Sequence, residues 1–175
     1  MRVAGGELRG RRLHAPRGVR PTTERVREAL FSILVRVEGA RVLDLFCGSG
    51  ALGIEALSRG AGHATLVDTS PEAARRNAEE LGLTDRTTVV RSEALRFLDG
   101  EPEGVFDLVF CDPPYKLADR LAANLDPLIS RSIPEGGRVI AESSPDAPLE
   151  FSLPLRLQRA YGDTQICLYE KGYRE

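Results

Sequence analysis

The 175-residue chain has two lysines (Lys116 and Lys171), two histidines, three cysteines, and no apolar run approaching the roughly 20 residues that cross a bilayer. Each shortage closes off a class of function. Cys47, Cys111 and Cys167 show neither the pairing of a disulfide framework nor metal-ligand spacing, and they read as small apolar residues in a reducing compartment. His14 and His63 stand apart without ligand partners, so no metal is expected and surface roles suit both. Met1 to Gly6 lacks the apolar core of a signal peptide, which points to a cytoplasmic protein with no membrane partner. No internal repeat or low-complexity linker divides the chain. With 42% hydrophobic and 29% charged residues, it suits a single domain with a real core, expected as a monomer.

What the chain has in quantity is arginine, unevenly placed. Residues 1–41 hold ten arginines against four glutamates, a net charge of +6, so the remainder carries -8 of the overall -2. A basic arm on an acidic body suits a polyanion held at one end, and arginine suits bidentate phosphate contacts and stacking on bases. Arg9, Arg11, Arg12, Arg17 and Arg20 are the candidate RNA contacts. Gly5-Gly6, Gly10, Pro16, Gly18 and Pro21 exclude a long helix there, so residues 1–21 are expected to form an exposed basic hairpin or arm, part of the same unit as the domain over 22–175.

A helix is predicted from Thr22-Thr23, with Val26, Ala29, Leu30, Ile33, Leu34 and Val37 as its buried stripe and Arg25, Arg27, Glu28 and Arg36 outside it. Strands are then expected over Val42–Phe46, Ala64–Asp68, Thr87–Arg91, Val105–Cys111 and Gly137–Glu142, alternating with helices. One of these helices opens at Ser70-Pro71-Glu72 with a cap, a first-turn proline and a first-turn acid. Leu155–Tyr161 and Thr164–Glu170 flank Gly162-Asp163, two residues suited to a tight hairpin turn. The predicted class is α/β: a Rossmann-like, seven-stranded, mostly parallel sheet ending in an antiparallel hairpin, the pattern of class I methyltransferases.

Two stretches carry chemistry. Gly48, Gly50 and Gly53 fit G-x-G-x-x-G after a strand, and Asp68 follows at the end of the next strand, where a carboxylate can accept both hydroxyls of a ribose. That pattern alone fits a dinucleotide or S-adenosylmethionine. Asp112-Pro113-Pro114-Tyr115 breaks the tie. It offers a carboxylate, carbonyls beside nitrogens that cannot donate, and an aromatic plate at a strand's C-terminal end, a clasp for an amine on a flat ring. Such an amine is a poor nucleophile; acceptors that hold its hydrogens direct its lone pair at a methyl group, and Tyr115 would stack on the base. Thr22, Thr23 and Arg25 could reach a cofactor carboxylate, with helix capping as the other role for the threonines. Cys47 and Cys111 end strands that should be neighbours.

Asp112-Pro113-Pro114-Tyr115 resembles the [DN]-P-P-[YF] motif of amino-group methyltransferases. More narrowly, Gly5-Gly6-Glu7-Leu8-Arg9-Gly10-Arg11, the segment from Arg20-Pro21-Thr22-Thr23 to Phe31 and the segment from Asp44 to Ala61 resemble the RsmD family, over about Arg2 to Tyr169. That family methylates N2 of one guanine in bacterial 16S ribosomal RNA. The resemblance implies S-adenosylmethionine as methyl donor and 16S rRNA, within an assembled or assembling small subunit, as partner. It places Asp44 and Gly48-Ser49-Gly50 at the methionine part, Asp68 at the ribose, Glu93 with Ala94 at the adenine edge, and Asp112 to Tyr115 on the guanine amine. Phe46 and Thr23 complete the candidate cofactor set. Glu93 stands where many methyltransferases have Asp or Asn, and the Ala94 backbone amide is an alternative contact. An N6-adenine methyltransferase on DNA or RNA, an NAD-dependent oxidoreductase and a non-catalytic RNA-binding module are the competing readings.

Overall fold

Strand β1 (Arg41–Leu45) is the axis of the molecule, with four of its five residues buried. A run buried on both faces belongs at the centre of a parallel sheet, and β1 pairs in parallel with β2 (His63–Asp68) on one side and β4 (Leu108–Cys111) on the other. The computed structural model describes residues 1–16, 23–34, 36–114 and 118–174. Arg17, Arg20, Thr22, Tyr115 and Leu117 lie outside the described residues.

Helices α1 (Glu24–Leu34), α2 (Ala51–Ser58), α3 (Glu72–Glu80), α4 (Ala94–Asp99) and α5 (Ala118–Ser132) alternate with β1, β2, β3 (Thr87–Arg91), β4 and β5 (Arg138–Ser143). The chain closes with β6 (Leu155–Tyr161) and β7 (Thr164–Glu170), giving a seven-stranded sheet in the order β3-β2-β1-β4-β5-β7-β6. β7 runs antiparallel to both of its neighbours, and the other pairings are parallel. Strand alternation divides the core in two. Val42, Phe110 and Ile140 face one layer with α1 and α2, whereas Leu43, Val109 and Val139 face the other with α4 and α5. Among the described residues no helix is long and apolar enough to cross a membrane.

The described part of the N-terminal segment is a hairpin, as expected, with Arg2 bridged to Arg12 and the Val3 amide donating to the Arg11 carbonyl at 2.9 Å. Its arginines Arg2, Arg9, Arg11 and Arg12 are exposed, while Val3 and Leu13 are buried against the body. The Glu55 carboxylate of α2 holds it there, accepting the Ala4 and Gly5 amides at 2.8 and 2.7 Å.

This docking corrects one expectation. Arg27, assigned to the outer face of α1, is fully buried. The hairpin covers that face and supplies the Arg2 carbonyl, which takes a guanidinium N–H, while the Glu55 carboxylate of α2 lies 3.9 Å from Nε. Burial lowers the Arg27 pKa, with Glu55 and Glu24 opposing the shift. Boundaries of β1, β2 and β5 also move by one residue, to Arg41–Leu45, His63–Asp68 and Arg138–Ser143, and two other changes have a visible cause. Pro71 takes the cap position of α3, with no side-chain cap, because its carbonyl accepts the first helical bond, from the Arg75 amide at 2.9 Å. β4 begins at Leu108, because the Phe106 amide bonds the Ser132 carbonyl at the end of α5 rather than a neighbouring strand.

Candidate active site

The C-terminal ends of β1 to β5 open into a cleft of about 1220 Å³, where open parallel sheets bind ligands. Its wall is assembled from the turn after each strand, the start of α1 and the β6–β7 turn. Thr23 caps α1, accepting the Val26 amide at 3.3 Å, and with Arg25 lines the near side.

At the end of β1 the chain reverses sharply. Phe46 takes a left-handed conformation at φ 59°, which costs a non-glycine residue about 1 kcal/mol, and it lines the cleft. Gly48 follows at φ 52°, and a Cβ there would meet nothing nearer than Pro16 Cγ at 3.9 Å, so the backbone faces open space. The last glycine of the motif has a different reason. A Cβ on Gly53 would lie 2.3 Å from Leu66 Cδ2, so α2 can pack on β2 only without one. The Gly53 amide donates to Asp44 Oδ2 at 3.0 Å, tying the helix to the strand.

Asp68 reaches across from the end of β2, with Oδ2 accepting the Gly48 amide at 2.9 Å and Oδ1 the Ser70 amide at 2.8 Å. Each oxygen keeps a lone pair for a further donor. Glu93 and Ala94, at the start of α4, line the floor beyond it, and Asp112, Pro113 and Pro114 form the opposite wall. Thr23, Phe46, Gly48, Asp68, Glu93, Ala94 and the first three residues of the Asp-Pro-Pro-Tyr stretch thus converge on one cleft. Asp44, Ser49 and Gly50 stand behind that lining: Asp44 is 2% exposed, and the Ser49 carbonyl accepts from Asn77 at 2.8 Å. Arg9, Arg11 and Arg12 are on the hairpin surface, outside the lining.

Electrostatically the cleft is acidic. Asp68, Glu93, Asp112, Glu142 and Asp163 line it, with Arg25 the one arginine or lysine among the described lining residues. Burial pushes the Asp44 carboxyl up to about 7, against the Gly53 hydrogen bond and helped by the charge of Asp68. Asp112 is raised well above the carboxylate range by burial, then by the charges of Glu142 and Asp44. Such a site welcomes a cation or a donor-rich ring edge and repels a pyrophosphate. Burial also raises the thiols of Cys47 and Cys111, so both stay neutral and neither is an activated nucleophile. All three cysteines are free and buried.

Two parts of the wall escaped sequence reasoning. Tyr161 arrives from the end of β6 and Asp163 from the β6–β7 turn, which as a sequence signalled only a hairpin. Glu142, 6% exposed at the end of β5, lies beside Asp112. Its signal was an acid closing the apolar run Val139-Ile140-Ala141, legible only once the register between β4 and β5 is known.

Residues 1–170 match the family model Cons_hypoth95, described as conserved hypothetical protein 95. A Bacillus subtilis protein named "Putative rRNA methyltransferase YlbH" is 38% identical over 98% of this chain and 99% of its own length. The chain belongs to the RsmD family. Another relative, "Ribosomal RNA small subunit methyltransferase D" of Escherichia coli, is 44% identical over 66% of this RsmD-family chain and 61% of its own. The solved structure "Putative methyltransferase yhhF from Escherichia coli" superposes with a TM-score of 0.85 at 32% identity, covering 98% of this chain and 97% of that one. The fold is that of the class I methyltransferases.

Proposed function

We propose that this protein is an S-adenosylmethionine-dependent methyltransferase acting on the exocyclic N2 amine of a guanine in 16S ribosomal RNA, as part of the small subunit. The observation that carries the reading is the Asp112-Pro113-Pro114 wall, which faces the glycine turn across one acidic cleft. Membership of the RsmD family and the names of its rRNA-modifying relatives support it.

The residues present fit the methyl donor. Gly48 leaves its Cβ direction open, Asp68 retains acceptor capacity for ribose hydroxyls, and the acidic lining favours a cationic molecule over a pyrophosphate. When bound, S-adenosylmethionine supplies an electrophilic methyl on a sulfonium. Gly48, backed by Ser49 and Gly50, would meet its amino-acid end through the turn's backbone, and Thr23 and Arg25 would meet its carboxylate. Phe46 packs against it, and Asp44 keeps the turn in place from behind through the Gly53 amide. Glu93 and the Ala94 amide read the adenine.

Asp112 and the Pro113 carbonyl accept the two hydrogens of the target amine, and Tyr115 stacks on its ring. The nitrogen lone pair is thereby aimed along the axis of transfer, where geometry supplies most of the acceleration. Once the amine has taken the methyl that the bound donor would supply, it would release one proton to Asp112 or to solvent. A positive charge in the cleft opposes the shift of Asp112 and favours its anion at the moment an acceptor is needed.

The N-terminal arm, residues 1–21, is part of the same unit and grips phosphates through Arg9, Arg11, Arg12, Arg17 and Arg20, in the cytoplasm where small subunits assemble. Labelled methyl transfer to small subunits and to free 16S RNA, followed by mass analysis of the nucleosides, tests the reading. N2-methylguanosine is expected; N6-methyladenosine, or no transfer to either RNA, overturns it.

A further inference from the structure

A clasp for an amine does not by itself choose guanine, because adenine and cytosine also carry exocyclic amines on flat rings. What separates them is the ring position beside the amine. Guanine N2 has the N1–H donor as neighbour, whereas adenine N6 is flanked by the acceptors N1 and N7, and cytosine N4 by the acceptor N3. A second acceptor set beside the first therefore distinguishes guanine.

The sheet supplies such an acceptor. Phe110 and Ile140 are register partners, as are Cys111 and Ala141, so Asp112 and Glu142 stand at the same level one step further along two adjacent parallel strands. Side chains alternate along a strand, so both project from the face that carries Asp44. Adjacent strands lie about 4.8 Å apart, so carboxyls at one level of two neighbouring strands can converge on a single ring edge. Both carboxyls line the cleft beside Pro113, and Glu142 is held in the ladder, opposite Ile166 of β7.

We infer that Glu142 is a specificity-determining residue that accepts the N1–H of the target guanine while Asp112 and Pro113 hold its N2 amine. The inference rests on the methyltransferase reading above and deepens it. Because N1–H belongs to the pairing edge, the target must be unpaired or flipped when it enters. An adenine presented to the same wall would set its N1 lone pair against a carboxylate, and a buried acceptor left without its donor rejects an analogue strongly.

The test uses small subunits reconstituted with RNA that carries, at the mapped methylated position, guanosine or 2-aminopurine ribonucleoside. The latter keeps the 2-amino group and lacks the N1 hydrogen. Wild-type protein should show kcat/KM on 2-aminopurine lower by about a hundredfold or more. In Glu142→Gln, whose amide can donate to N1, that ratio should collapse to within about tenfold, chiefly through loss of activity on guanosine. Glu142→Asp should keep the preference at a lower rate. S-adenosylhomocysteine affinity and melting temperature confirm that each variant is folded.

A wild-type ratio near one, or an unchanged ratio in Glu142→Gln, overturns the inference while leaving guanine methylation standing. Absence of methylated guanosine in unmodified subunits would sink the methyltransferase reading itself.

Discussion

The α1–α2 side of the sheet buries carboxyls in two places and treats them oppositely. Under the hairpin, Glu55 is fully buried and surrounded by donors: the Ala4 and Gly5 amides, Arg59 Nε at 2.9 Å, and Arg27 at 3.9 Å. At the strand ends, Asp44, Asp112 and Glu142 crowd one another, and the first two are driven toward the neutral form. Charge that a fold needs for itself is matched by its own donors, whereas burial and neighbouring acids hold Asp44, behind the cleft, and Asp112, in its wall, away from the charged form.

The largest effect is expected where the matched network is cut. Glu55→Ala leaves two hairpin amides without an acceptor and Arg27 buried without its counter-charge, and should cost about 3 to 5 kcal/mol in urea unfolding. Replacing Arg27 by Met in that background should recover part of the loss.

Next comes the pH dependence of the crowded group. The Asp44 pKa is raised from 3.8 to about 7 by folding, so between those values the native state keeps a proton that the unfolded state has released. Stability therefore falls as pH rises through this window, and the loss is complete above pH 7. Between pH 5 and pH 8 the wild type should lose about 3 kcal/mol relative to Asp44→Asn, measured by urea unfolding at both values. Equal pH dependence in the two proteins would remove the cost assigned to that carboxyl.

A smaller effect belongs to the exposed arginines of the hairpin. Replacing Arg9, Arg11 and Arg12 by alanine should lower affinity for small-subunit RNA about tenfold, and flatten the slope of log affinity against log salt by about 2 to 3. Affinity for S-adenosylhomocysteine, measured by calorimetry, should not change.

How far the sequence alone reaches follows the same division. Glycines and turn residues bracket β3, β6 and β7, whose observed bounds are those expected, and the alternating apolar runs carried the mostly parallel sheet and its covering helices. The glycine turn, Asp68 and the Asp-Pro-Pro segment were legible because each needs a particular residue type at a particular strand end. Arg27 was not, because helical periodicity assigns a charge to the outer face and the cover over that face comes from a distant hairpin. Glu142 was hidden for a related reason: an acid at the end of a strand becomes part of a site only through the register of its neighbour.

The most direct test compares Asp112→Ala with the wild type for both folding and turnover. Removing a carboxyl that burial disfavours should leave melting temperature unchanged or slightly raised, and should retain S-adenosylhomocysteine binding. Methyl transfer to small subunits should fall by about a thousandfold. A variant that unfolds, or one that turns over at the wild-type rate, would contradict the assignment of the strand-end carboxyls to function.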